Sequence, residues 1–109
     1  MKVYIAGKIT GEMPIPVQYK FGYASTKLKE KGHKVINPVL LNDTLHKSGF
    51  DYEDMMAICF RAIDICDAVY MLKDWHDSPG AKREHEYALN AGKKIIYQTA
   101  ENLSARTEE

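Results

Sequence analysis

Apolar positions along the chain fall into two rhythms. Short runs apolar on consecutive residues read as strands buried on both faces. These are Val3 to Ala6, which closes at Gly7; His33 to Ile36, which closes at Asn37-Pro38; Asp67 to Leu72; and Lys94 to Tyr97. Between them lie stretches with apolar residues three and four apart, the spacing of one helical face. The first runs from about Val17 to Lys31, with Phe21, Ala24 and Leu28 in phase and Gly32 as the stop. The second, Tyr52 to Ile65, carries an inner stripe of Met55, Cys59, Ala62 and Ile63 that continues to Cys66. The third opens at Ser78-Pro79-Gly80, a hydroxyl cap followed by a proline suited to the first turn, and runs to Gly92. Residues 39–51 show no clean period and read as a connection of about a dozen residues, a length more often functional than idle.

Strands alternating with helices, each strand apolar on both sides, predict an α/β fold. The expected architecture is a parallel sheet of four to five strands between two helical layers. In such sheets ligands bind beyond the carboxyl ends of the strands. Here those ends carry Gly7-Lys8-Ile9-Thr10-Gly11, the connection 39–51 and Lys73-Asp74-Trp75-His76-Asp77.

With 109 residues the chain suits one domain, expected over 1–100, with a polar, frayed tail at 101–109. A hydrophobic content of 45% allows a real but small core, which an oligomeric interface would help to complete. Fifteen basic and fifteen acidic residues cancel, so nothing suggests broad capture of a nucleic acid polymer or a membrane surface. No signal peptide opens the chain and no stretch reaches membrane-spanning length, so a soluble, cytoplasmic protein is expected. Cys59 and Cys66 lie roughly 10 Å apart along one helix, too far for a disulfide, and read as buried thiols.

Several chemical signals resolve quickly. Ala6-Gly7-Lys8-Ile9-Thr10 lacks the first glycine of a P-loop and has Ile where Ser or Thr should follow the lysine. The four histidines show no metal-ligand spacing, so no metal is expected. Gly7 and Gly11 mark either a tight turn or a close approach of backbone to ligand. Trp75 is either a packing residue or a platform for a base. Glu84 is the sharpest signal, because it shares the helical stripe of Ala81, Ala88 and Ala91, the face that should be buried. It is either an edge carboxylate satisfied by a lysine or arginine, or a reactive carboxylate. Its helix starts at the carboxyl end of the sheet, where free amides and Ser78 attract an anion. A carboxylate and an anion pocket on one helix would suit cleavage of a phosphorylated sugar derivative.

Three stretches carry a resemblance: Val-Tyr-Ile-Ala-Gly-Lys-Ile-Thr-Gly at 3–11, Cys-Asp-Ala-Val-Tyr-Met-Leu at 66–72, and Ser-Pro-Gly-Ala-Lys-Arg-Glu-His-Glu-Tyr-Ala at 78–88. Together they resemble the nucleoside 2-deoxyribosyltransferase superfamily over roughly residues 2 to 97, with the nearest likeness to a small branch found in phages and prophages. The resemblance implies a flavodoxin-like three-layer sandwich, a homodimer or larger assembly, and a small nucleoside or nucleotide as partner. It implies attack on the anomeric carbon of a nucleoside or its 5′-monophosphate, as an N-glycosidase or deoxyribosyltransferase needing no cofactor. Glu84 falls at the nucleophile position, and Tyr4 matches the tyrosine that orients the carboxylate or the sugar. Gly7, Lys8 and Ile9 fall where the first loop meets base and sugar, and Ser78 and Gly80 where a 5′-phosphate is held. One position departs. Where the superfamily often has an aspartate that helps protonate the departing base, this chain has Cys59, with Asp54 and Asp64 as the nearest substitutes and Asp54 nearer the expected cleft. If neither serves, the alternative is a protein that binds nucleotides without cleaving them, to sequester or sense them.

Overall fold

The computed structural model describes residues 1–99, so the expected tail at 101–109 lies outside the described residues. The elements are β1 (Lys2–Ala6), α1 (Pro14–Glu30), β2 (Lys34–Ile36), α2 (Val39–Lys47), α3 (Tyr52–Asp64), β3 (Ala68–Met71), a 3-10 turn (Trp75–Asp77), α4 (Pro79–Asn90) and β4 (Lys94–Tyr97). The four strands pair in parallel in the order β2-β1-β3-β4, with Tyr4 opposite Val69 and Ala6 opposite Met71. This is the expected flavodoxin-like arrangement in four-stranded form. No helix among the described residues is long and apolar enough to cross a membrane.

Strand alternation builds two cores. Val3 and Ile5 of β1 face α1, where they meet Val17, Phe21 and Leu28. Tyr4 and Ala6 face the other way, toward Cys59 and Ile63 of α3 and Ala81 and Ala88 of α4. That two-sided burial explains why the strand sequences are apolar throughout. The chain steps from β1 to β2 in one direction, then back across β1 to β3 and on to β4. Right-handed crossovers therefore put α1 on one face and α3 and α4 on the other. The order reverses between β1 and β3, and their carboxyl ends form the switch point.

The structure corrects the sequence reading at several places. Helix α1 begins at Pro14, three residues before the apolar pattern starts, because proline fits a first turn whose amides have no helical partner anyway. The connection at 39–51 is largely the helix α2, started by Asn37 Oδ1 accepting the Val39 amide at 3.1 Å. It fully buries no residue, so it leaves no apolar stripe to read. In α3 the buried positions are Met56, Cys59 and Ile63, while Met55 and Ala62 are only half-buried. In α4 the stripe of Ala81, Glu84 and Ala88 is buried, but Ala91 is exposed, since the helix stops there and Gly92 turns the chain at φ +74°.

Candidate active site

The site is built where α4 begins. Ser78 caps the helix, its Oγ accepting the Ala81 amide at 3.1 Å. Pro79 follows at the first helical position. A Cβ on Gly80 would lie 3.2 Å from Tyr52 Oη and 3.6 Å from Met56 Sδ, so glycine lets the start of α4 approach the start of α3. Two turns in, Glu84 points into the layer between α4 and the sheet and is only 6% exposed. Tyr4 Oη, fully buried on the central strand, donates to Glu84 Oε2 at 2.6 Å. Cys59, from α3, lies beside both of them, and its thiol donates to Asn42 Oδ1 at 3.5 Å.

No ion pair among the described residues includes Glu84. Its chain neighbour Arg83 is spent elsewhere, forked onto Glu53 at 3.0 and 3.1 Å. The reading of Glu84 as an edge carboxylate satisfied by a cation is thereby excluded. Burial pushes its carboxyl up from 4.5 to about 7, against the opposing pull of the Tyr4 hydroxyl and the neighbouring Cys59 thiol. The same burial, with the charge of Glu84 adding to it, raises the Tyr4 phenol well above its usual value and the Cys59 thiol to about 11. A carboxyl poised between its two forms and supported only by neutral donors is costly to keep in a core. Such perturbed groups gather at functional sites.

The first loop lies at the switch point, and its residues are held by protein contacts. Gly7 is buried, and a Cβ there would sit 2.7 Å from Leu72 Cδ1, so its close approach is to the end of β3. Gly11, at φ +82°, makes the turn. The Lys8 amide donates to Asp74 Oδ1 at 3.2 Å, and Lys20 pairs with the same carboxylate and with Glu12. This ties the loop after β1 to the loop after β3. Lys8 Nζ reaches Glu12 at 3.7 Å, and Ile9 packs on the α1-side core. Trp75 is half-buried and stacked on His85, with ring centroids 4.3 Å apart, and lies 4.0 Å from the ring of His76.

The two carboxylates considered as proton donors lie at opposite ends of α3. Asp54 is exposed at the amino end, the end beside Gly80, where it accepts the Asp51 amide at 3.1 Å while Asp51 accepts the Asp54 amide at 2.8 Å. This capping box accounts for the start of the helix. Asp64 sits at the far end, where Tyr87 Oη donates to it at 2.6 Å. The structure thus brings together Tyr4, Cys59 and Glu84, sets Ser78 and Gly80 at the start of the helix that carries Glu84, and places Asp64 at the other end of α3 from Asp54. Sequence reasoning passed over Asn42, whose Oδ1 lies 3.5 Å from Cys59 Sγ, because α2 shows no apolar period that would bring it inward. A hollow of about 120 Å³ lined by Lys2, Lys34, Val35, Ile36, Ile65 and Cys66 lies at the amino ends of the strands, opposite this site.

Among solved structures, the chain is similar to the CMP N-glycosidase BcmB of Clostridium botulinum, at 23% identity and a TM-score of 0.62, over 89% of this chain and 67% of that one. The likeness shows a shared fold, in agreement with the architecture that the resemblance implies. No curated protein matches. The family described as a domain of unknown function, DUF4406, matches residues 1–97, nearly the whole of the described chain. The protein belongs to the DUF4406 family.

Proposed function

We propose that the protein cleaves the N-glycosidic bond of a nucleoside or nucleoside 5′-monophosphate, by hydrolysis or by deoxyribosyl transfer, with Glu84 as nucleophile. The observation that carries this reading is the buried Tyr4–Glu84 hydrogen bond at 2.6 Å, in a site where no cation among the described residues pairs with the carboxylate. The fold shared with a CMP N-glycosidase supports it.

A Glu84 oxygen attacks C1′, and the electron pair of the C1′–N bond departs with the base, which takes up a proton. The resulting glycosyl ester is opened by water or by a second base, and the carboxylate returns. Positive charge developing at C1′ and the ring oxygen meets an anion in a dry setting, where the attraction is strong. Neither neighbour of the carboxylate is a ready acid for the departing base, since burial holds the Tyr4 phenol well above its usual value and the Cys59 thiol at about 11. That task falls to Asp54, which would have to release the Asp51 amide, or to water.

A 5′-phosphate would rest at the start of α4. Pro79 has no amide proton, and the Ala81 and Lys82 amides already bond to Ser78. The anion is therefore met by the Gly80 amide, the Ser78 hydroxyl proton and the helix dipole. Gly7, Lys8, Ile9 and Trp75 would border the sugar and base.

The direct test incubates the protein with a panel of ribo- and deoxyribonucleosides and their 5′-monophosphates and measures free base. Release from at least one is expected, abolished in Glu84→Gln with binding retained. The second reading, a phage or prophage protein that sequesters or senses a nucleotide without cleaving it, is favoured by one observation. The position of the usual acid is the thiol Cys59, and the nearest substitute, Asp54, is committed to a helix cap. Thermal stabilisation by a nucleotide recovered intact would select it.

A further inference from the structure

Glu84 is supported from two layers. Tyr4 from β1 and Cys59 from α3 are the titratable groups that act on it, and no charged side chain of α2, α4 or the 3-10 turn does so among the described residues. Cys59 is 2% exposed and cannot turn to water for a partner. Its sulfur has three polar neighbours: the Tyr4 hydroxyl, the Glu84 carboxyl and, at 3.5 Å, Asn42 Oδ1. A thiol carries a single proton, so what it gives to one acceptor it withholds from another.

We propose that Asn42 is a positioning residue: its amide oxygen takes the Cys59 proton, leaving Tyr4 as the principal donor to Glu84. A carboxylate with fewer donors is more basic and is the better nucleophile. Asn42 sits half-buried on α2, a helix with no fully buried residue, so it lies near solvent while its partner does not. Anything that draws the Asn42 amide away returns the thiol proton to Glu84. The catalytic meaning of this arrangement rests on Glu84 being the nucleophile, but the arrangement itself does not.

The test is a carboxyl-carbon NMR titration of the full chain labelled at glutamate, with the Glu84 signal assigned by its loss in Glu84→Gln. In Asn42→Leu the thiol turns to the carboxylate, and the Glu84 midpoint is expected to move to lower pH by about half a unit or more. In Cys59→Ala the same Asn42 substitution is expected to leave the midpoint where Cys59→Ala alone puts it. A midpoint that stays or rises in Asn42→Leu overturns the proposal, as does an equal shift with Cys59 absent. Should leucine not fit, Asn42→Ala makes the same comparison. If the midpoints move as expected while no panel nucleotide releases base, the positioning stands and the glycosidase reading falls.

Discussion

Replacing Glu84 by glutamine should make the protein more stable, and by an amount that depends on pH. Glutamine keeps the shape of the side chain and can still accept from Tyr4 Oη, but it never ionises. Burial pushes the wild-type carboxyl up from an ordinary 4.5 to about 7, so the folded state holds the proton more tightly than the unfolded chain. Between those values the unfolded chain has lost the proton while the folded one retains it. Stability from this group is therefore full below about pH 4.5 and falls as pH rises toward 7. The gap between 4.5 and about 7 sets a ceiling of about 3 kcal/mol. At about pH 4 wild type and Glu84→Gln should differ little; at about pH 8 the variant should be ahead by up to about 3 kcal/mol. Urea denaturation across that range, with unchanged m, reads the difference directly. An advantage that does not vary with pH, or a variant weaker than wild type at alkaline pH, would refute the buried, cation-free carboxylate.

Three other outcomes follow from the same geometry. Tyr4→Phe removes the buried donor to Glu84 and should cost about 1.5–3 kcal/mol where the carboxylate is ionised and less where it is protonated, as denaturation on either side of neutrality would reveal. Base release, which needs the anion, should rise with pH to a plateau with a midpoint near 7 in the free enzyme, visible in the pH profile of kcat/KM. Gly7→Ala places a Cβ against Leu72 and should cost about 1–3 kcal/mol by overpacking. Part of that cost should vanish when Leu72→Ala removes Cδ1 and Cγ but leaves Cβ at 3.0 Å, which a double-mutant cycle would measure.

What could be read from the sequence follows from how local each signal is. The parallel sheet was legible because Val3 to Ala6 and Ala68 to Leu72 are apolar on both faces, and β4 was placed at its observed bounds. The inward position of Glu84 was legible because Ala81 and Ala88 fix the buried phase of α4 within a dozen residues. Helix α2 was not, because a helix that buries nothing fully writes no period. The choice of Met56 over Met55 depends on the helical phase, one residue away from the stripe that spacing suggested. The cause of Gly7 is Leu72, and the platform under Trp75 includes His85; no local pattern encodes such distant partners. The Tyr4–Glu84 bond spans 80 positions, so its pairing came from resemblance and its geometry from the fold.

The most direct measurement is a search for the sugar on Glu84 itself. The protein is incubated with substrates whose 2′-fluorine slows opening of the glycosyl ester, then digested and mapped by mass spectrometry. The account predicts a glycosyl adduct on the peptide containing Glu84, absent in Glu84→Gln. Base released at full rate by Glu84→Gln, or an adduct on another residue, would contradict it.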